Sequence, residues 1–548
     1  MWFLIFSPGC SSNIRFVSSE AKKNEDEEPK AGELLFCGGS NWEAIGKKQT
    51  DGGARGIFLP TRLAALQGID IAFVASGSAS CHCIALDVNG RCFTWGRNEK
   101  GQLGLGDFST RSSPTVVTAL SKYKVVKAAA GRAHTVVVTS KGESLAFGFN
   151  KHGQLGAGFV KEESEKSPVR SLVTDATFVT CGAEFTIWLT SIEGATVMSA
   201  GLPQYGQLGH GTDNEYNSKE GSVRLVYEAQ PRPRAISSLA TKTVIKVACG
   251  NNHSVAVDSG GFVYTWGFGG HGRLGHKEQK DEWTPRVVET FQRANVLPPN
   301  ALVAAGSAYS AATAAGGQLY MWGRVKTTGD NWMYPKPVLD LSGWSIRSLD
   351  CGNTTSLAAA EESCISWGTA LYGELGYGPT GPKSSANPKK IDALEGLHVI
   401  RVACGLGHSA FIVDRSKAPE KFKELEVFEA EESIPVDEEE MDEEVEEAPE
   451  KKRKAAGRGR GKPSKKKAQS ESDEDESDDD SDKPKAKGGR GRGKGRGSGT
   501  SKAATRNGAF SDDGPPTKKG RGRSGAAVAA SESALPARGR ARGRGRGK

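Results

Sequence analysis

The sequence predicts an all-β protein: a seven-bladed β-propeller followed by a long disordered C-terminal tail. Three observations carry this. A Gly-rich turn ending in GQLG recurs along residues 33–414. A second motif, CG followed by HS, alternates with it. Beyond position 414 aromatic residues become scarce, Cys disappears, and runs of charge with Gly, Ser and Pro take over. Such a segment cannot bury enough apolar surface to offset its ordering entropy.

The first motif reads WGRNEKGQLG at Trp95, FGFNKHGQLG at Phe147, AGLPQYGQLG at Ala200, WGFGGHGRLG at Trp266 and WGTALYGELG at Trp367. WGRVKTTGD at Trp322 is a degenerate copy, and CGGSNWEAIG at Cys37 a partial first one. The second motif places its shared Gly at 77, 131, 182, 250, 306, 352 and 405. These are seven units, 46 to 56 residues apart with one interval of 68.

Each unit reads as four short strands. In the fourth, VIKVACG is one, and HSVAV and FVYTW flank the tight turn DSGG. Pro-containing runs such as SSPTVV, KSPVRS, TPRVVE and YPKPVL supply the last. A lone four-stranded sheet leaves its faces bare, and stacking such sheets around an axis covers them. The Gly of CG is expected where a Cβ would clash, and the Gly pair of GQLG where φ is positive. Leu of GQLG is expected to pack between blades, and Trp before Gly to anchor a strand end.

Closure follows from the chain ends. The first unit has only ELLFCGG, Glu33 to Gly39, while the last ends at Asp414 without its WG strand. The N-terminal strand is therefore expected to pair with the C-terminal ones and remove the open edge.

Several chemistries are disfavoured. The ten Cys form no CxxC pair and no zinc spacing, so they read as small apolar residues or free thiols. No apolar run reaches the length of a membrane span. GFGGHG at Gly267 has no βαβ context for a dinucleotide, and GGRGRGKG at Gly488 lacks the Ser or Thr of a phosphate loop. No nucleophile has a distinct base and orienter, so covalent catalysis, a metal and a cofactor are not expected. Residues 1–32 read as an unstructured leader; the acid-free, Ser-rich stretch 1–19 leaves organelle import as an alternative.

The alternation of CGxxHS with WGxxxxGQLG resembles the regulator of chromosome condensation family, over about residues 33–414. The resemblance implies a seven-bladed propeller and partners among small GTPases, chromosomes and microtubules. The family's founding member is the nucleotide exchange factor of the Ran GTPase and binds nucleosomes. The turn after the CG motif lines its GTPase-facing side. By that resemblance His134, His253 and above all Glu184, an acid in the turn CGAEFT, are candidate partner contacts. The alternative for the His residues is a turn-stabilising hydrogen bond. The long interval adds an insertion, 210–243, whose Tyr227, Arg232 and Arg234 are further candidates.

The tail separates its charges. Residues 415–450 form an acidic linker with 4 basic and 16 acidic residues, and 451–548 a basic segment with 29 basic and 12 acidic. Lys451, Lys452, Arg453 and Lys454, with Lys465, Lys466 and Lys467, look like nuclear import signals. Arg490, Arg492, Arg496, Arg521, Arg523, Arg540 and Arg544 lie in Arg-Gly repeats suited to RNA, DNA or a nucleosome. Ser470, Ser472 and Ser477 sit among acids as phosphorylation candidates. The expected function is a nuclear interaction protein, found at nucleoli or mitotic chromosomes, that binds a small GTPase or chromatin. An active guanine-nucleotide exchange factor and a non-catalytic scaffold are the alternatives.

Overall fold

Seven short, apolar, β-branched strands begin the seven repeats, and in the structure they stand side by side around one axis. In this computed structural model, residues 31–47, 56–219 and 223–430 are described. The inner strands are Ile71–Ala75, Val125–Ala130, Ala176–Cys181, Val244–Cys249, Val303–Ala305, Ile346–Cys351 and Val399–Cys404, and they define blades 1 to 7.

Blade 4 shows the plan. Val244–Cys249, His253–Asp258, Val263–Gly267 and Glu282–Val287 form an antiparallel sheet in chain order from the axis outward. Register places His253 opposite Gly267, so the CG turn and the GQLG loop share one face of the ring. The tight turns and the starts of the inner strands share the other. We call these the turn face and the far face.

The motif glycines sit where close approach demands them. Gly267 has φ of +102°, and a Cβ there would lie 2.6 Å from the Asn252 carbonyl oxygen. A Cβ on Gly250 would lie 2.2 Å from the His253 ring and 2.3 Å from the carbonyl oxygen of Gly306 in the next blade. The anchors Trp95, Phe147, Trp266, Trp322 and Trp367 are all buried. Leu155 packs among Val136 of blade 2 and Val179 and Trp188 of blade 3, and so lies between blades.

The ring closes through the chain ends. Glu33–Gly39 pairs with His408–Val413, with Leu34 opposite Ile412. A second N-terminal strand, Gly56–Leu63, then completes blade 7, so two strands come from each end of the chain. This strand was absent from the sequence expectation.

Residues after the ring also fold. Composition places the start of the acidic linker at 415, yet Pro419–Lys423 is an α-helix and Val427–Phe428 adds a parallel strand beside Arg62 and Leu63. Phe422 is buried, with the Arg62 guanidinium 4.8 Å from its ring centroid. The buried Glu33 carboxylate accepts from Arg62 Nε at 2.7 Å, from the Gly68 amide at 3.1 Å and from Arg415 at 3.4 Å. One carboxylate thus ties the first strand of the ring to the segment that follows the last. All nine Cys among the described residues are buried free thiols.

Candidate partner-binding face

The turn face is built from one repeated hydrogen-bond scheme. The Gln of GQLG folds back to accept an amide two residues earlier, at 2.9 Å for Gln102 and Lys100. Its own carbonyl accepts the hydroxyl that follows the motif His of the next blade, as Thr135 Oγ1 donates to Gln102 at 2.8 Å. That hydroxyl also meets the His of the previous blade. The Nε2 atoms of His82, His134 and His253 lie 2.7, 3.0 and 2.8 Å from Thr135, Thr186 and Ser310. Each hydroxyl spends its single proton on the loop carbonyl, so the imidazole must donate from Nε2. Tyr309 does the same job between blades 5 and 6, and His408 reaches Ser76 across the closing seam at 2.9 Å.

His134 and His253 therefore do not present themselves to a partner. Both are fully buried, and the assignment to a partner contact is corrected: they bond blade to blade. Burial pulls His82, His134 and His408 down to about 3 and holds His253 well below its ordinary value, so all four are neutral.

The turns also clasp one another near the axis. The Arg132 amide donates to Ala183 at 3.0 Å, Ala183 to Asn251 at 2.9 Å, Ser307 to Gly352 at 3.2 Å and Leu406 to Ser80 at 2.9 Å. Ser78 Oγ reaches Asn251 Oδ1 at 2.8 Å from blade 1 to blade 4, bridging the turn-face end of the axial channel. Nothing in a linear reading joins Ser78 to Asn251; only closure of the ring brings them together.

Glu184 is the one acid in this ring of turns. Its side chain is 15% exposed, with Oε2 accepting from Gln154 Nε2 at 2.8 Å and Oε1 lying 3.4 Å from Arg132 Nε. Burial pushes its carboxyl up to about 7, against the opposing pull of Arg132 and Gln154. Arg132 itself is half exposed, so this ion pair opens directly to solvent.

The insertion resolves into a hairpin, Glu215–Asn217 with Leu225–Tyr227, standing beside blade 3 on the same face. Val223, Tyr216 and Leu225 are 82%, 52% and 51% exposed, an apolar set that the sequence reading did not single out. Tyr227 is half-buried opposite Glu215, and burial followed by that carboxylate raises its hydroxyl pKa. Arg232 and Arg234 are not part of the hairpin. They lie exposed on Gln230–Ala235, the outer strand of blade 3, each directly after a proline that an edge strand tolerates. The start of this outer strand, just after the hairpin, touches the site through neighbours: the Gln230 amide donates to the His152 carbonyl, which is two residues from Gln154.

The import-signal lysines, the Arg-Gly arginines and the three serines fall outside the described residues.

Comparison with known proteins matches the regulator of chromosome condensation (RCC1) repeat at residues 89–138, 196–257, 260–313 and 362–412, with a second RCC1-repeat model at 71–102, 125–154 and 244–273. Protein RCC2 of Mus musculus is 39% identical over 416 residues, covering 72% of this chain and 78% of its own. The chain belongs to the regulator of chromosome condensation family. Within that family it is RCC2-like, since the human Protein RCC2 is also 39% identical over 72% of this chain and 78% of its own. Human WBSCR16 shares the fold at a TM-score of 0.58 and 20% identity, covering 70% of this chain and 99% of its own. Prp20p from Saccharomyces cerevisiae, studied for its binding to Gsp1p and histones, does so at 0.55 and 20%, covering 72% and 94%. The seven blades of this chain are thus an RCC1-type propeller.

Proposed function

We propose that the turn face of this propeller receives a small GTPase or a chromatin protein in the nucleus, and that the basic segment 451–548 adds nucleic-acid affinity. The carrying observation is Glu184. Its carboxylate titrates near neutrality and is paired with a half-exposed Arg132 that a partner's cation can replace. The apolar residues of the adjacent hairpin supply contact area around that charge. Membership of the family supports the reading, and so does the binding of Prp20p to Gsp1p and histones.

Binding alone and nucleotide exchange differ in one respect. Exchange requires tighter binding of the nucleotide-free GTPase than of the loaded one. Titrating the full chain with Ras-superfamily GTPases carrying fluorescent GDP separates the two. Binding weakened about tenfold by Glu184→Ala supports the site. Accelerated GDP release by the unmodified chain makes it an exchange factor, and binding indifferent to Glu184→Ala removes the assignment.

The Arg-Gly segment follows the physics of counterion release. Its affinity for RNA or DNA should fall linearly in logarithmic terms with salt. Deleting 451–548 should abolish that dependence; unchanged binding would refute the tail's role.

A further inference from the structure

Aligned on the CG motif, the position four residues before the shared Gly holds Phe73, Lys127, Phe178, Lys246, Leu302, Ser348 and Arg401. These lie towards the far-face end of the inner strands. A charge there is unexpected, because inner strands pack edge to edge around the axis. Phe73 and Arg401 line an axial channel of about 250 Å3. The Arg401 guanidinium lies 4.4 Å from the centroid of the Phe73 ring, and Lys127 Nζ lies 5.2 Å from it. Blades 7, 1 and 2 thus bring two cations to one aromatic ring.

Neither cation has an ion pair or hydrogen bond among the described residues. Burial and mutual repulsion lower the Lys127 pKa, and burial lowers that of Arg401. Two desolvated like charges destabilise a fold unless an anion joins them. The one carboxylate in the channel, Asp350, lies two residues closer to the motif Gly of its strand and accepts the Cys404 amide at 2.7 Å. Burial raises it to about 6, with Arg401 opposing, so it only partly balances the pair. The turn-face end of the channel is bridged by Ser78 and Asn251, which leaves the far-face mouth as the way in.

We propose that the far-face mouth of the axial channel, around Lys127, Phe73 and Arg401, is a binding site for a small phosphate-bearing anion. A guanidinium offers a planar fork to phosphate oxygens, an ammonium supplies a compact second charge, and the ring holds both in place. The channel volume suits a phosphate or diphosphate group and excludes a folded partner. The site lies on the opposite face from Glu184 and does not depend on the reading of that face.

Thermal unfolding of the full chain with pyrophosphate, inorganic phosphate or malonate tests this. Basic residues that bind anions equally in folded and unfolded chains leave the unfolding temperature unchanged, so the readout reports the folded site. Pyrophosphate at ten times its Kd should raise the temperature by about 1–2 °C. Lys127→Met and Arg401→Met should abolish the rise, and Asp350→Asn should tighten binding. Lys127→Met should also leave the unliganded protein as stable or more so, because it removes a repulsion. Lys127→Gln repeats the test without an apolar side chain. A rise retained in the Lys127 and Arg401 variants, or a lower unliganded stability in both Lys127 variants, would overturn the site. Malonate acting as well as pyrophosphate would overturn the phosphate assignment.

Discussion

His253 Nε2 lies 2.8 Å from Ser310 Oγ, and this bond crosses from blade 4 to blade 5. The same hydroxyl donates to the Arg273 carbonyl at 3.0 Å, so one Ser joins the second strand of its blade to both the turn and the loop of its neighbour. This relationship explains why His and Ser are adjacent in the repeat. The His serves the next blade, and the Ser serves the previous one.

His253→Ala should therefore cost about 2–3 kcal/mol in urea unfolding, from a lost buried bond and a cavity. His253→Phe should cost less. Blade 3 already carries Phe185 at the equivalent place, and the Ser254 hydroxyl opposite still reaches the Gln207 carbonyl at 3.4 Å. Equal losses for Ala and Phe would mean the imidazole bond, not packing, dominates the seam.

Acid should weaken the ring. The four buried motif His are neutral when folded, with burial pulling His82, His134 and His408 down to about 3 and holding His253 well below its ordinary value, but they take up protons near pH 6.5 when unfolded. Their contribution is complete above pH 6.5 and is lost progressively as pH falls towards 3. Each should remove about 1.4 kcal/mol per pH unit in that window. Glu184 and Asp350, raised to about 7 and 6, act in the opposite sense: they favour the folded state as pH falls, but are fewer. Melting temperatures from pH 7.5 to 5 should fall, and His253→Phe should flatten the slope by one group's share.

The segment beyond Asp414 should prove part of the folded body. Phe422→Ala should destabilise by about 3 kcal/mol, since a buried ring beneath Arg62 is lost. A chain ending at 414 should be less stable than one ending at 430 and more open to protease near Gly56–Leu63. Equal stability would show that the helix and its strand merely rest on the ring.

Blade number and the roles of the repeated Gly and Leu were legible because each is local and recurs from unit to unit, and closure by Glu33–Gly39 was legible because the first and last units are each incomplete. What was not legible is either unrepeated or depends on closure. The strand Gly56–Leu63 contains Pro60 and belongs to no repeat copy. Phe422 is one apolar residue in an acidic run, too little for composition to register. His134 and His253 carried two readings, partner contact and turn-stabilising hydrogen bond; the structure bears out the second, and a linear sequence does not show which blade their ring nitrogens meet. Lys127 and Arg401 are 274 positions apart, and only the ring places both over Phe73. Glu184 was found because it breaks a repeat; Lys127 and Arg401 share their aligned position with Lys246, so alignment of the copies does not single them out.

The most direct test of the proposed turn-face function is hydrogen–deuterium exchange of the full chain with and without a bound nucleotide-free GTPase. The account predicts added protection at the turns holding Arg132 and Glu184 and along the hairpin at Tyr216 and Leu225, with the far-face turns unchanged. Protection confined to the far face or the outer strands, with Glu184 and the hairpin unaffected, would contradict it.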